Sequence, residues 1–406
     1  MAAPPWRSSC RRRASGRIWP DRAAISRARA QFSTDRTGIS RCLRRISVIE
    51  FDVFISYNRI HRPEYYQRSL FAERLDEAKL ADRLGYGCVW VPEHHLIHFM
   101  QAPSASLLAM QIGLNVDCKV GQMVNLLNYR HPLITAGEVA FLDNALEGRL
   151  ELGVGRGAYE YEFERLGIPF AEAQPRFLEA LEVLEKIWNS ESAAITHKGR
   201  YFDIDEAYVW PRPYQKPHPR LWYAAMSGPS VKMAASKGYH VANWPFLRPM
   251  SAVKDIADTF HEAREQAGGV RGEQQLAIMR SAFAAETAAE ARRHTGEALT
   301  NHRINQRLHH FTQNADPRGV VSPEPIDNEP DEATIYQNML MGTPEECLAK
   351  VEEYEALGVD RLLLHFDFGP DHEAVLESMR VFAEGVIEPY RRSRHKQLAP
   401  AASPAS

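Results

Sequence analysis

Residues 147–161 read Glu-Gly-Arg-Leu-Glu-Leu-Gly-Val-Gly-Arg-Gly-Ala-Tyr-Glu-Tyr. Leu150, Leu152 and Val154 recur as in a strand, and that strand runs straight into Gly155-Arg156-Gly157. The paired glycines leave no side chain in a ligand's way. Arg156 between them offers a planar fork suited to phosphate or carboxylate. A strand that ends this way reads as an anion site at its C-terminal end, where α/β barrels keep their chemistry. The alternative for Arg156 is a surface turn paired to Glu160 or Glu162.

Outward from this stretch, apolar periodicity predicts strands over 48–57, 86–91, 116–126, 150–154, 220–225, 239–244, 275–284 and 360–366. Between them lie helical patterns over 70–84, 104–112, 133–146, 176–188, 230–237, 251–266 and 343–357, with a last one over 373–386. His197-Lys198-Gly199-Arg200 marks a hairpin turn. Eight strands alternating with helices indicate an α/β fold, a (β/α)8 TIM barrel. A doubly wound sheet is the alternative, but Tyr57-Asn58-Arg59 follows the first strand where that fold places a glycine-rich phosphate turn. Residues 286–338 form a long polar insertion after the seventh strand, expected to be an active-site lid or a mobile loop.

The 406-residue chain is 44% hydrophobic and 25% charged, as in soluble globular proteins. No apolar run approaches the roughly 18–20 residues of a membrane-spanning helix. Residues 1–45 hold twelve Arg, no Lys and two Asp, a net of +10, which leaves −13 for the rest of a chain whose total is −3. That Arg-rich extension is expected to be disordered: an inert arm from an upstream start, a transit-like peptide, or a nucleic-acid-binding arm. Residues 46–390 are read as the barrel domain and 391–406 as a disordered tail. The five cysteines show no CxxC spacing, so reduced thiols in a cytoplasmic protein are the simplest reading, with Cys88 and Cys118 as buried small hydrophobes. Neither a nucleic-acid nor a membrane partner is expected.

Three further groups carry chemistry. Glu93-His94-His95 follows the second strand. One imidazole there suits proton transfer or hydrogen bonding to a ligand, or is a rim residue held by Glu93. Adjacent histidines do not share a helix face as zinc ligands do, and no metal site is expected. Ser227-Gly228-Pro229-Ser230 opens a helix after the fifth strand, placing hydroxyls where a phosphate is favoured, or simply capping that helix. Together with Arg156 this suits one phosphate gripped from two sides. Tyr57, Phe99, Tyr129, Tyr159, Tyr161, Trp244 and Phe246 cluster around the expected mouth and suit a flat cofactor and an apolar substrate, or ordinary packing. No GxSxG nucleophile motif occurs, and no pair of carboxylates stands out.

Five ordered blocks, YGCVWVPEHH (86–95), NYRHP (128–132), LDNALEGRLELGVGRGAY (142–159), residues 227–238 and GTPEEC (342–347), resemble the bacterial luciferase-like flavin-dependent monooxygenases, the luciferase α subunit (alkanal monooxygenase) in particular. The resemblance spans about residues 48–390. It implies reduced FMN at the barrel mouth and O2 as co-substrate. It also implies oxidation of a small apolar organic substrate, a separate NAD(P)H:flavin reductase as electron supplier, and a homodimer. By the same resemblance Arg156, the Ala158 backbone, Ser227 and Ser230 hold the phosphate, with Met226 in place of an acidic residue. His94 matches the histidine needed for productive chemistry on the oxygenated flavin. Ser104-Ala105 falls near a non-proline cis peptide under the flavin ring. Gly155 replaces the reactive cysteine of luciferase, which argues against efficient light emission, and Arg130 replaces a small residue. Related barrels also imply two alternatives: hydride transfer with a deazaflavin, and a non-catalytic flavin-binding protein.

Overall fold

The computed structural model describes residues 48–58, 60, 67–190, 194–269 and 273–398. The expected disordered extension over 1–45 lies outside the described residues, as do 399–406 of the expected tail.

Eight parallel strands close into a barrel: β1 (Glu50–Phe54), β2 (Cys88–Val91), β3 (Lys119–Leu126), β4 (Leu150–Gly155), β7 (Arg220–Ala224), β8 (His240–Asn243), β9 (Leu276–Ala284) and β11 (Arg361–His365). Closure comes from pairing of β8 with β9, where Val241 faces Leu276 and Asn243 faces Ile278. The hairpin read at 197–200 joins β5 (Ala194–Lys198) to β6 (Asp203–Tyr208), which pair antiparallel outside the barrel. A short strand, β10 (Leu340–Gly342), continues along the outer end of β9. Each barrel strand lies within three residues of its expected span at both ends, because apolar runs bounded by glycine and polar turns mark buried parallel strands.

The barrel interior is graded from floor to mouth. At the strands' N-terminal ends the charged groups Asp52, Glu151 and Arg361 are buried together. Arg361 pairs with Asp52 at 2.7 Å, Lys119 pairs with Glu151, and Arg220 Nε lies 3.8 Å from Glu151. Above them Trp90 and Trp222 meet edge to face at 5.7 Å. Their indole N–H groups reach down to Asp52 (2.9 Å) and Glu151 (2.8 Å). Burial pushes the Asp52 carboxyl up to about 6 against the pull of Arg361. Nearer the mouth the lining becomes apolar: Phe54, Met123, Met279, Leu363 and Trp244. The Trp90 ring fills the place where a Cβ on Gly121 would stand.

Residues after β9 differ from the expected loop. They fold into helices over Ala288–Arg292, Thr295–Leu308, Phe311–Asn314 and Glu332–Asn338. Phe283, Ala291, Ala298, Ile335, Tyr336 and Met339 bury an apolar cluster of their own. Ile304, Leu308, Phe311 and Val321 pack onto Phe99, Met100 and Tyr159. The polar composition that suggested a loop belongs to the outward faces of short amphipathic helices. Residues 391–398 also depart from expectation. They lie in the final helix, Glu388–Leu398, tied to the body where Arg394 pairs with Glu355 and Arg391 donates to the Gly85 carbonyl.

A Gly121→Ala substitution is expected to lower stability by about 1–3 kcal/mol through overpacking against Trp90. Gly296→Ala, where an added Cβ meets nothing within 4 Å inside the helix Thr295–Leu308, is expected to raise it by about 0.5–1 kcal/mol. Urea unfolding of the two variants checks the pair, and equal shifts in both would contradict this packing account.

Candidate active site

Parallel strands in a closed barrel bring their C-terminal ends to one rim. The register places Val154 of β4 beside Tyr223 of β7, so Arg156 and Ser227 leave neighbouring strands at that rim. Arg156 is half-buried. Its Nε donates to the Gly157 carbonyl at 3.1 Å, and its guanidinium lies 5.3 Å from the Phe170 ring centroid. No ion pair among the described residues involves Arg156, so the alternative pairing with Glu160 or Glu162 does not form. Its charge favours the phenolates of Tyr129 and Tyr223, but burial outweighs it and raises both.

Ser227 caps the helix Gly228–Ser236. The Ser227 Oγ accepts from the Ser230 N–H, and the Ser230 Oγ accepts from the Ser227 N–H at 3.1 Å. The two hydroxyl oxygens lie 3.0 Å apart at the helix N-terminus. The capping alternative is thus realised, and the same arrangement leaves an exposed hydroxyl pair beside a positive helix end. Met226 beside them is 51% exposed. Ala158 is exposed on the turn after β4.

Gly155 is buried, and a Cβ there would meet Val124 Cγ2 at 2.7 Å. Val124 belongs to the only non-proline cis peptide among the described residues, Met123–Val124 at the end of β3. This corrects the expectation at Ser104-Ala105, one strand-end earlier in the chain. Ser104 is the N-cap of the helix Ala105–Gly113, accepting from Leu107 N–H at 3.3 Å. Ala105 is buried in the core of that helix. Neither residue is part of the rim cluster. The misplacement arose because a small-residue pair in helical periodicity resembles one on a strand. Cys118, expected to be buried, is half-exposed, while Cys88 is buried as expected; both are unpaired.

Glu93-His94-His95 divides its partners in a way the sequence does not reveal. His95 Nε2 lies 2.8 Å from Glu93 Oε1, and Arg130 pairs with the same oxygen at 2.6 Å. His94 is held by another carboxylate: its Nδ1 lies 3.2 Å from Glu162 Oε1. Glu162 is fully buried in the helix Glu160–Arg165 and also accepts from His95 N–H (2.7 Å) and Tyr129 Oη (3.1 Å). Tyr129 is the link to the anion turn, since its hydroxyl stands beside Gly157. Asn128 adds a second link, donating to the Arg156 carbonyl at 2.7 Å and to the Ala173 carbonyl at 2.9 Å. Sequence reasoning placed Tyr129 among the mouth aromatics and Glu162 as a possible partner of Arg156, but assigned neither of them, nor Asn128, to a network with His94 and His95. These contacts join segments distant in the chain, so no local pattern announces them.

The expected aromatic cluster splits. Trp244 stacks on Phe246 at 4.1 Å and Tyr161 on Phe311 at 4.0 Å. Tyr57, Phe99 and Tyr159 are buried. At the end of β11, His365 is enclosed by Phe54, Trp244 and Phe368, with Nε2 3.3 Å from Asp367 Oδ1. Two clefts flank the rim. One of about 590 Å³ is lined by Leu96, Ile97, His98, Tyr161 and Phe311. The other, of about 510 Å³, is lined by Tyr129, Arg130, His131 and Arg176. They border the His94–Glu162 network, and neither is lined by His94, Arg156, Ser227 or Ser230. Among the described residues there is no cluster of three metal-ligating side chains, and no helix is long and apolar enough to cross a membrane.

A family model described as luciferase-like monooxygenase matches residues 49–361. The oxygenase component of a flavin-dependent trigonelline monooxygenase from Acinetobacter baylyi is 24% identical over 359 residues, 85% of this chain and 97% of that one. The oxygenating constituent of 3,6-diketocamphane monooxygenase from Pseudomonas putida, a type II Baeyer–Villiger enzyme solved with FMN, superposes with a TM-score of 0.68. It shares 23% identity, over 84% of this chain and 98% of that one. An F420-dependent secondary alcohol dehydrogenase superposes with a TM-score of 0.67 at 20% identity, over 84% and 98%.

Burial drives the His365 imidazole down to about 4, against the upward pull of Asp367. The folded protein therefore keeps it neutral where the unfolded chain, near 6.5, takes up a proton. The contribution of His365 to stability is full above pH 6.5 and falls as pH is lowered toward 4. His240 is also lowered to about 4, again chiefly by burial, and adds to the same window. Urea midpoints measured from pH 7 to 4.5 are expected to fall, and to fall less steeply in His365→Gln. Identical slopes in the two proteins would remove His365 from the effect.

Proposed function

The chain belongs to the luciferase-like monooxygenase family, and from that premise we propose that it is a flavin-dependent monooxygenase using reduced FMN and O2 to oxidise a small apolar organic substrate. The observation that carries this reading is the Arg156 guanidinium, free of any carboxylate partner among the described residues, on the strand next to the one leading to Ser227 and Ser230. A guanidinium fork, two hydroxyls and a helix N-terminus suit a phosphate monoester. The side-chain-free Gly155 makes room for Val124 of the Met123–Val124 cis peptide, so the two strand ends pack closely beside the turn bearing Arg156.

When bound, reduced FMN supplies the two electrons by which one atom of O2 enters the substrate and the other leaves as water. The chain's own residues do the rest. Arg156, Ser227, Ser230 and the Ala158 backbone hold the phosphate, with Met226 at their edge. His94 would be the proton-handling group, its imidazole held by Glu162. Phe54, Met123, Met279 and Trp244 line an apolar interior that excludes water from the ring. The helices of 286–338 close over the rim through Tyr159, Tyr161 and Phe99. Naming of the Acinetobacter relative as an oxygenase component supports electron supply by a separate NAD(P)H:flavin reductase. A homodimer remains part of the proposal.

The second reading, hydride transfer with a deazaflavin, is favoured by likeness to the F420-dependent dehydrogenase, a likeness of fold alone. Transfer of an 18O atom from 18O2 to an oxidised substrate with reduced FMN, against turnover with reduced deazaflavin, separates the two.

Arg156→Ala is expected to weaken reduced-FMN binding by about 1.5–3 kcal/mol, the scale of a charged hydrogen bond. Arg156→Lys, a point charge without the fork, is expected to fall between. Anaerobic fluorescence titration measures both, and unchanged affinity in Arg156→Ala removes that residue from the phosphate site.

A further inference from the structure

We propose that Glu162 is the positioning residue for His94, holding its imidazole with Nδ1 protonated and leaving Nε2 as the ring's hydrogen-bond acceptor. Its importance for turnover rests on the flavin reading above; the tautomer assignment does not.

A carboxylate oxygen only accepts, so the ring nitrogen 3.2 Å from Glu162 Oε1 is the donor, and in a neutral imidazole the other nitrogen is then bare. Glu162 is fully buried, and every contact it makes here is to a donor: His94 Nδ1 and the His95 N–H on one oxygen, the Tyr129 hydroxyl on the other. No Arg or Lys among the described residues pairs with it, so His94 is its one ion-pair partner there. The competing groups are engaged elsewhere. Glu93 takes His95 Nε2 and Arg130, which leaves the neighbouring imidazole no claim on Glu162. Burial and the Glu162 charge keep the Tyr129 phenol protonated, so it remains a donor. The other side of the His94 ring is supported by Tyr159, centroids 5.1 Å apart, and Tyr159 in turn meets His309 of the insertion at 5.3 Å. His94 is thus fixed in orientation by one carboxylate and one aromatic face, with 16% of its side chain exposed. A proton-handling histidine whose second nitrogen is bound by a buried carboxylate is a recurrent arrangement, since the carboxylate selects the tautomer and stabilises the imidazolium if one forms.

The test uses flavin-free protein with 15N-labelled histidine, the His94 signals being those missing from His94→Asn. The wild-type chain is expected to show the Nδ1–H tautomer. Glu162→Gln, equal in size, is expected to show mixed or Nε2–H character. Tyr129→Phe, which removes a donor from the other oxygen only, is expected to keep Nδ1–H. With reduced FMN and a substrate, Glu162→Gln is expected to lose about 100-fold in kcat, the lower end of what a positioned proton-transfer group contributes. Reduced-FMN affinity should stay within about twofold, and Glu162→Asp should recover part of kcat. A merely structural role for Glu162 predicts no tautomer change. An Nε2–H tautomer in the wild type, a wild-type tautomer in Glu162→Gln, or undiminished kcat in that variant overturns the proposal. If the tautomers behave as expected and neither wild type nor variant changes the reaction of reduced FMN with oxygen from that of free flavin, the flavin reading fails while the Nδ1–H assignment holds.

Discussion

A carboxylate removed from water must be answered by donors, and the rim of this barrel is arranged around one such group. Glu162 draws together the segments that follow three consecutive strands: His94 and His95 after β2, Tyr129 after β3, and its own helical turn after β4. Removing any one donor leaves a buried charge short of a partner, which is costly enough to keep the three segments in a single arrangement. The turn bearing Arg156 inherits that order through Tyr129 and Asn128. The segment bearing His94 and the turn bearing Arg156 therefore share a scaffold.

The two ends of the barrel are built on opposite principles. At the floor, Asp52, Glu151, Arg361 and Lys119 neutralise one another beneath the crossed Trp90 and Trp222 rings. Buried pairs of this kind add little net stability, and their partners hold them strictly in place. The floor is sealed and the apolar lining lies above it. At the mouth, by contrast, Arg156 has no carboxylate partner among the described residues, Ser227 is exposed and Ser230 half-buried. Charge is satisfied internally at the closed end and left available at the open one, which is the contrast the proposed phosphate site rests on.

Much of this was legible in the sequence. Buried parallel strands leave continuous apolar runs, so all eight appeared within three residues of their positions, and the hairpin turn at 197–200 falls between the two strands it joins. The turn bearing Arg156 and the helix capped by Ser227 and Ser230 were legible because a glycine-flanked arginine and a serine-opened helix are local features; their part in binding is the proposal made above. The rest depended on contacts distant in sequence. Nothing in Glu93-His94-His95 says that Glu93 takes the second histidine and that a carboxylate 68 residues from the first takes the other. The cis peptide was sought at 104–105 and lies at 123–124, because its place is set by how β3 bulges against β4, a register property. The insertion read as a lid or a mobile loop since three of its helices are short and the fourth, Thr295–Leu308, buries only a few apolar side chains among many polar ones.

The most direct test of the account is the reaction of protein-bound reduced FMN with oxygen. Anaerobically reduced FMN, mixed rapidly with oxygenated buffer in the presence of saturating chain, is predicted to reoxidise along a time course distinct from that of free flavin. Adding an oxidisable substrate should then transfer one labelled oxygen atom from 18O2 to the product. A reoxidation trace indistinguishable from free flavin at every protein concentration would contradict it.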